Sequence, residues 1–276
     1  TKNMDINIGL SNGQILRGTV KDLNGKLKAV VIMVHGLGEH IGRYSMLADK
    51  FMEEGIGFMG VDLPGHGRSD GSRGHIRDYK LLYEMADILF RESANRFPGM
   101  PLFIYGHSLG GGIVLNYLLK KDPVIHGAII TSPWLKLAFE PSPSKKKLAA
   151  LIKKVIPELT MSNGLITEHL SRDSNVVKAY LDDPLVHDRV SVSLIDGAFS
   201  AAEEAMGEAS SLKKPVLLMH GSDDRICSPE GSAVFASKTG MAQLKIWEGG
   251  FHEVHKDLNK SEVVDYTISW IKHRLS

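Results

Sequence analysis

Short strand-like runs of mostly apolar residues recur along the chain, separated by longer stretches with helical spacing. The runs at 30–34, 58–61, 102–105, 128–130, 216–219 and 244–247 read as strands, and most lead straight into glycine, histidine or aspartate. VVIMV and VLLMH are apolar at nearly every position, as expected of strands covered on both faces. Between the runs, Tyr44, Leu47, Ala48 and Phe51 recur at i, i+3, i+4, i+7 ahead of Gly55, which marks a helix with a glycine stop. Residues 81–97 and 263–271 repeat that spacing. Strands alternating with helices predict an α/β fold with a mostly parallel central sheet and helices on both faces. The stretch before Val20, with its Ser11-Asn12-Gly13 turn, predicts an antiparallel hairpin.

The alternation stops after Pro133, and no convincing strand returns before Val216. That interval is too long for an ordinary connection, so residues 135–210 are read as an inserted, mainly helical lid, with 1–134 and 211–276 forming the core. The lid opens with PSPSKKK. Leu148, Leu151, Ile152, Val155 and Ile156 then share one helix face, while Lys145, Lys146, Lys147, Lys153 and Lys154 lie elsewhere. A basic amphipathic helix admits transient contact with a membrane surface. The favoured expectation is plainer: the apolar face packs on the domain and the lysines are solvated.

Composition narrows the function. The chain has 276 residues, with 33 basic and 32 acidic side chains and a formal net charge of +1, so no broad field recruits nucleic acid. With 43% hydrophobic residues there is material for a core, yet no apolar run reaches the roughly 18 residues that span a bilayer. The opening TKNMDINIGL has no basic-then-apolar signal region, and one cysteine, Cys227, allows no internal disulfide. A reducing, cytoplasmic setting is expected.

Candidate chemistry centres on Gly106-His107-Ser108-Leu109-Gly110, a G-x-S-x-G sequence between the strand LFIY and a helix-period run. Such a turn exposes a serine hydroxyl above a sheet, near a helix N-terminus whose dipole favours negative charge. The pattern alone would also fit an idle serine in a glycine turn; the flanking strand and helix weigh against that. A serine nucleophile needs a base, and the base needs an orienting acid, in the chain order serine, acid, histidine. The strand at 216–219 runs into His220-Gly221-Ser222-Asp223-Asp224, and the strand at 244–247 into Glu248-Gly249-Gly250-Phe251-His252. Of twelve histidines, His252, His255 and His273 follow the acid loop. His252 is nearest the strand end and is the expected base, with His255 its main competitor and His273 a surface residue. Spacing does not separate Asp223 from Asp224. Oxyanion donors are expected from the backbone N–H groups of Leu109 and of Leu37, in the turn His35-Gly36-Leu37-Gly38. No H-E-x-x-H or comparable ligand spacing occurs, so neither metal nor organic cofactor is implied.

HGLGEHIGRY, DLPGHGRSDGSRGHI, GHSLGGGI, TSPWL, DPLV, GSDDRIC and EGGFHEVHKDL, spread from residue 35 to 258, resemble the monoacylglycerol lipase and lysophospholipase group of α/β hydrolases. The resemblance implies Ser108 as nucleophile, Asp224 as acid, His252 as base, and Leu37 and Leu109 as oxyanion donors. Gly36, His107 and Cys227 then lie near the site. Leu37 is larger than its counterpart in the animal enzymes, which a backbone donor tolerates. Cys227 matches a thiol position in the animal lipases; either its modification blocks the site or it is a small buried filler. Asp62, His66 and Arg68 precede the serine in a turn-rich loop and are expected to brace it. The implied activity is hydrolysis of medium- or long-chain carboxylic esters, monoacylglycerol foremost. Lysophospholipase, esterase or acyltransferase chemistry is the alternative on the same triad; an aspartate-nucleophile dehalogenase or epoxide hydrolase, or a non-catalytic binding module, fits less well.

Overall fold

Residues 2–24 and 26–276 are described by a computed structural model. Strands β1 (Lys2–Gly9) and β2 (Ile15–Asp22) form the expected hairpin, in register from Lys2↔Asp22 to Gly9↔Ile15. Strand β3 (Ala29–Val34), helix α1 (Ser45–Glu53), strand β4 (Ile56–Val61), helix α2 (Lys80–Arg96), strand β5 (Leu102–His107), helix α3 (Leu109–Lys121) and strand β6 (Gly127–Thr131) then alternate. The insertion carries helix α4 (Pro143–Val155), strand β7 (Thr160–Ser162), helix α5 (Ser174–Asp182), strand β8 (Arg189–Ser191) and helix α6 (Val192–Glu208). Strand β9 (Val216–Gly221), helix α7 (Pro229–Ser237), strand β10 (Ala242–Trp247) and helix α8 (Lys260–His273) close the chain.

The eight-stranded sheet has the order β1-β2-β4-β3-β5-β6-β9-β10, and every pair from β4 onward is parallel. Along β3, Val30, Ile32 and Val34 enter one hydrophobic cluster while Ala29, Val31 and Met33 enter another. Alternate side chains leave opposite faces of a strand, so a strand covered on both sides must be apolar throughout. This two-sided burial is why inner strands such as β3 and β9 were readable as nearly continuous apolar runs, while the edge strand β10 carries Gln243 and Lys245.

Two expectations about the insertion need correction. It contains strands: β7 and β8 pair antiparallel, Thr160↔Ser191 to Ser162↔Arg189. Three-residue strands are too short to leave a period-two signature. Nor does the apolar face of α4 pack inward. Leu148, Leu151 and Val155 are 59%, 63% and 79% exposed, and no residue of α4 is fully buried. The inward side uses Lys153, paired with Asp196 of α6 at 2.8 Å, and Lys146, which sits over the Phe199 ring. The half-buried side of the helix carries Lys146, Ala149, Ala150 and Lys153 at i, i+3, i+4, i+7, while Leu148, Leu151 and Val155 face out. Helix α6 packs on α3, where Asn116 Nδ2 donates to the Ala201 carbonyl at 2.8 Å, and its Leu194, Ala198 and Ala202 join the main core cluster. Among the described residues, no helix is long and apolar enough to cross a membrane.

Candidate active site

The turn from β5 into α3 is as tight as the G-x-S-x-G pattern implies. A Cβ on Gly106 would lie 2.6 Å from the Gly110 carbonyl oxygen, and one on Gly110 would lie 2.1 Å from that of Val34. Those clearances leave room for hydrogen alone, so both glycines are steric requirements of the helix crossing close to its strands. Between them Ser108 takes φ 54°, ψ −118°, a strained conformation for a residue with a side chain. The strain aims the hydroxyl out of the turn, where it donates to His252 Nε2 at 3.0 Å.

His252 Nδ1–H donates to Asp224 Oδ2 at 2.8 Å, which sets the tautomer and leaves Nε2 free to accept from the serine. The ambiguity between the two aspartates resolves by burial: Asp224 is buried, while Asp223 is exposed and accepts from the Ser222 hydroxyl. Asp224 Oδ1 accepts from the N–H groups of Ile226 and Cys227 at 2.8 and 3.1 Å. Burial works against its ionised form, but His252 and the bonds from His220 and His252 outweigh it and hold the carboxyl well below the usual carboxylate range. Burial likewise lowers the His252 pKa, and the adjacent Asp224 overcomes it, leaving the imidazole above its ordinary value.

His220, at the end of β9, was missed in the sequence. Its Nε2–H donates to Asp224 Oδ2 at 2.9 Å and to the Cys227 carbonyl at 3.0 Å, and the Ser232 hydroxyl donates to its Nδ1 at 2.7 Å. Asp224 Oδ2 therefore serves two imidazoles. The signal was a histidine at the end of the otherwise apolar strand VLLMH. Ser132 was also missed; it follows β6 with φ 45°, and its hydroxyl donates to the His252 carbonyl at 2.6 Å.

The other predicted residues gather around the same point. Leu37 follows Gly36, whose N–H donates to Glu39 Oε1 at 2.8 Å, and precedes Gly38, whose φ of 76° and tight approach to the His187 carbonyl demand glycine. Among the described residues, the N–H groups of Leu37 and Leu109 donate to no other protein group, so both are free for an oxyanion. His107 lies beneath His252 with ring centroids 4.9 Å apart. Burial first, then His252, push it down to about 3, so it is a neutral neighbour. Cys227 is buried and lines the cavity; burial and Asp224 push its thiol up, against a reactive thiolate. His255 stacks on Tyr44 at 5.2 Å and lies away from Ser108's hydrogen bond, and His273 is exposed. Asp62 braces its loop by accepting from the Ile41 and Arg68 N–H groups, both at 2.8 Å.

Ser108 and His252 open into a cavity of about 240 Å³. Its lining is largely apolar, including Leu137, Phe139, Leu165, Ile166, Ile195 and Ile226. One cluster of buried charge interrupts it. Arg43 donates to both oxygens of Glu253 at 2.6 and 3.0 Å and to Glu39, and its guanidinium lies 4.7 Å from the centre of the Tyr180 ring. Burial opposes ionisation of Glu253, but Arg43 and Lys256 hold it down to about 2. Glu39, His107 and Glu253 bring ligand-type atoms within 4.8 Å of one another. Arg43 spans the two carboxylates and Lys256 Nζ lies 3.8 Å from Glu253, so two cations already balance the two negative charges.

A serine held on a strained turn, bonded through an imidazole to a buried carboxylate, is the equipment of a serine hydrolase. The Hydrolase_4 family profile, described as serine aminopeptidase S33, matches residues 25–259. The chain belongs to this family. The chain is 38% identical over 258 residues to an uncharacterized abhydrolase domain-containing protein of Dictyostelium discoideum, covering 90% of this chain but 26% of that protein. It thus spans about a quarter of that relative's length. The monoacylglycerol lipase of Mycolicibacterium smegmatis is 33% identical over 251 residues, 90% of this chain and 89% of that one. Among solved structures, the Paleococcus ferrophilus monoacylglycerol lipase superposes with a TM-score of 0.83 at 32% identity, covering 99% of this chain and 100% of that one. The α/β-hydrolase fold and the resemblance to monoacylglycerol lipases, both expected from the motifs, are borne out for this Hydrolase_4 member.

Proposed function

We propose that the protein hydrolyses monoacylglycerol to glycerol and fatty acid through an acyl-enzyme. The observation that carries this reading is the Ser108–His252–Asp224 line opening into a mostly apolar cavity with one compact cluster of buried charge, suited to a molecule with one acyl chain and one small polar head. In the reaction, Ser108 Oγ bonds to the ester carbonyl carbon as its proton passes to His252 Nε2. The Leu37 and Leu109 N–H groups hold the resulting oxyanion, and Asp224 stabilises the imidazolium. Collapse breaks the carbon–oxygen bond to glycerol, which leaves with the proton from His252. Water then repeats the two steps on the acyl-enzyme and releases the fatty acid.

A lysophospholipid is the second reading. Two buried carboxylates already occupy Arg43, which favours a neutral polyol at that cluster; Arg225, on the lining over the Phe251 ring and with no carboxylate partner among the described residues, is the group that would meet a phosphate. The test combines a fluorophosphonate probe with initial rates. One covalent adduct on wild type and none on Ser108→Ala is expected, with medium- and long-chain monoacylglycerols cleaved faster than matched lysophospholipids. Folded wild type that takes no label rejects the mechanism; faster lysophospholipid cleavage rejects the substrate.

Because the base must be neutral and its pKa is raised, activity is expected to fall on acidification with a midpoint above the ~6.5 of a free imidazole. A profile of kcat/KM against pH with its acid limb below that value contradicts the Asp224–His252 pairing.

In this reading, residues 135–210 are the lid, and the protein works in the cytoplasm, touching membranes only from their surface. The support is the outward apolar row Leu148, Leu151 and Val155 on a helix rich in lysine. Changing all three to serine is expected to weaken binding to anionic vesicles by at least about tenfold. Long-chain hydrolysis on vesicles should fall with it, while a short soluble ester is cleaved as before. Equal losses on both substrates would make α4 a purely structural element.

A further inference from the structure

His252 lies in a loop that has little regular structure of its own, between the end of β10 and the start of α8. Three contacts nevertheless immobilise the backbone around it. The peptide that follows His252 is held at both ends: its carbonyl accepts from the Ser132 hydroxyl at 2.6 Å, and its N–H, that of Glu253, donates to the Leu170 carbonyl at 2.8 Å. One residue earlier, the Phe251 N–H donates to Asp257 Oδ2 at 2.8 Å.

Asp257 is the hub of this arrangement. Its side chain is fully buried. Oδ2 also accepts from Arg172 Nε at 3.0 Å, and Oδ1 accepts from the N–H groups of Arg172 and Leu258 at 2.9 and 2.8 Å. Leu170 and Arg172 belong to the insertion, so the loop carrying His252 is fastened to the foot of the lid rather than to the sheet alone. Lys260 Nζ, bonded to Asp173 at 3.0 Å, strengthens the same seam.

We propose that Asp257, clamped by Arg172, is a positioning residue for His252, and that residues 170–173 are part of the apparatus that keeps its imidazole between Ser108 and Asp224. This rests on His252 acting as the base. A displacement of about 1 Å far from the reacting bond can cost on the order of 10²-fold in rate, because both hydrogen bonds of the imidazole must be kept at once. The charged and titratable groups facing His252 are Asp224, Glu253, Glu39 and His107. Loosening the loop lengthens the imidazole's bond to Asp224, the group that raises its pKa, so that pKa should relax downward.

Two variants test this on a short soluble ester. Asp257→Asn replaces one acceptor oxygen by an amide nitrogen, so in either orientation two of the four N–H groups that bond the carboxylate lose their acceptor: those of Phe251 and Arg172 Nε, or the backbone ones of Arg172 and Leu258. Arg172→Gln removes the guanidinium, lies at a partly exposed position, and leaves the Phe251 bond in place. End-point fluorophosphonate stoichiometry counts folded sites, so kcat is expressed per labelled site. For Asp257→Asn the expected result is a loss of about 10²-fold in kcat with KM nearly unchanged, and an acid limb moved to lower pH. Arg172→Gln should show the same two changes at about a tenth of that loss. A wild-type kcat per labelled site and an unmoved acid limb in Arg172→Gln overturn the proposal, even where Asp257→Asn does not fold. Wild type that takes no label overturns the base assignment itself, a failure distinct from labelled variants with normal kinetics.

Discussion

Ser108→Ala is expected to lower kcat on monoacylglycerol by about 10⁶-fold, the scale found when a triad loses its nucleophile, with only oxyanion stabilisation and binding left to act. The fold should survive. Alanine at φ 54° is no more strained than serine, and the hydroxyl's hydrogen-bond partner among the described side chains is His252, which remains held by Asp224. Circular dichroism and thermal melting should therefore match wild type. Ser108→Gly gives the complementary result. It removes the nucleophile and also the side chain from a backbone region that costs of order 1–3 kcal/mol, so an inactive protein with a higher melting temperature is expected. Residual activity of either variant within about 10²-fold of wild type would place the nucleophile elsewhere.

The second large effect is expected from Asp224→Asn, a loss of about 10⁴-fold in kcat. Oδ2 accepts from His252 Nδ1–H and from His220 Nε2–H. An amide nitrogen placed there meets two donors with two further donors. The side chain can flip to offer its oxygen, but its nitrogen then faces the Ile226 and Cys227 N–H groups that bond Oδ1. Either orientation leaves buried donors without acceptors, at a cost of about 1–3 kcal/mol each. The alternative is for His252 to move its proton to Nε2, where it cannot accept from Ser108. KM should change little, since Asp224 does not line the cavity. A variant that keeps kcat within about tenfold of wild type, properly folded, would show that His252 needs no acidic partner.

How much of this could be read from the residues alone follows a physical division. The inner strands of the parallel core were legible because burial on two faces favours an apolar residue at nearly every position, and the turn at Ser108 because close approach forces glycine on both sides. Asp224 and Asp223 were not separable by spacing, since the difference between them is burial, which depends on chain segments far away in sequence. Glu39, Arg43 and Glu253 read as ordinary charges until folding brought them together over a separation of 210 residues. The insertion was hardest. Its strands are three residues long, and the helix whose apolar face should have turned inward instead packs through Lys146 and Lys153. Periodicity identifies an apolar face but carries no instruction about which neighbour, if any, covers it. Ser132, His220 and Asp257 were overlooked for a related reason. Each acts through the backbone or side chain of another residue, and such service leaves no motif.

Cys227 is the chain's one thiol, 1% exposed and set in the wall beside Asp224. At 1% exposure on the cavity lining, it meets an alkylating reagent when the cavity opens wide enough to admit one, so each adduct records one such event at a known address. Timed pulses of such a reagent, read as a single mass increment, turn the protein into its own stopwatch for cavity breathing and, in denaturant, for global unfolding. No engineered probe is needed.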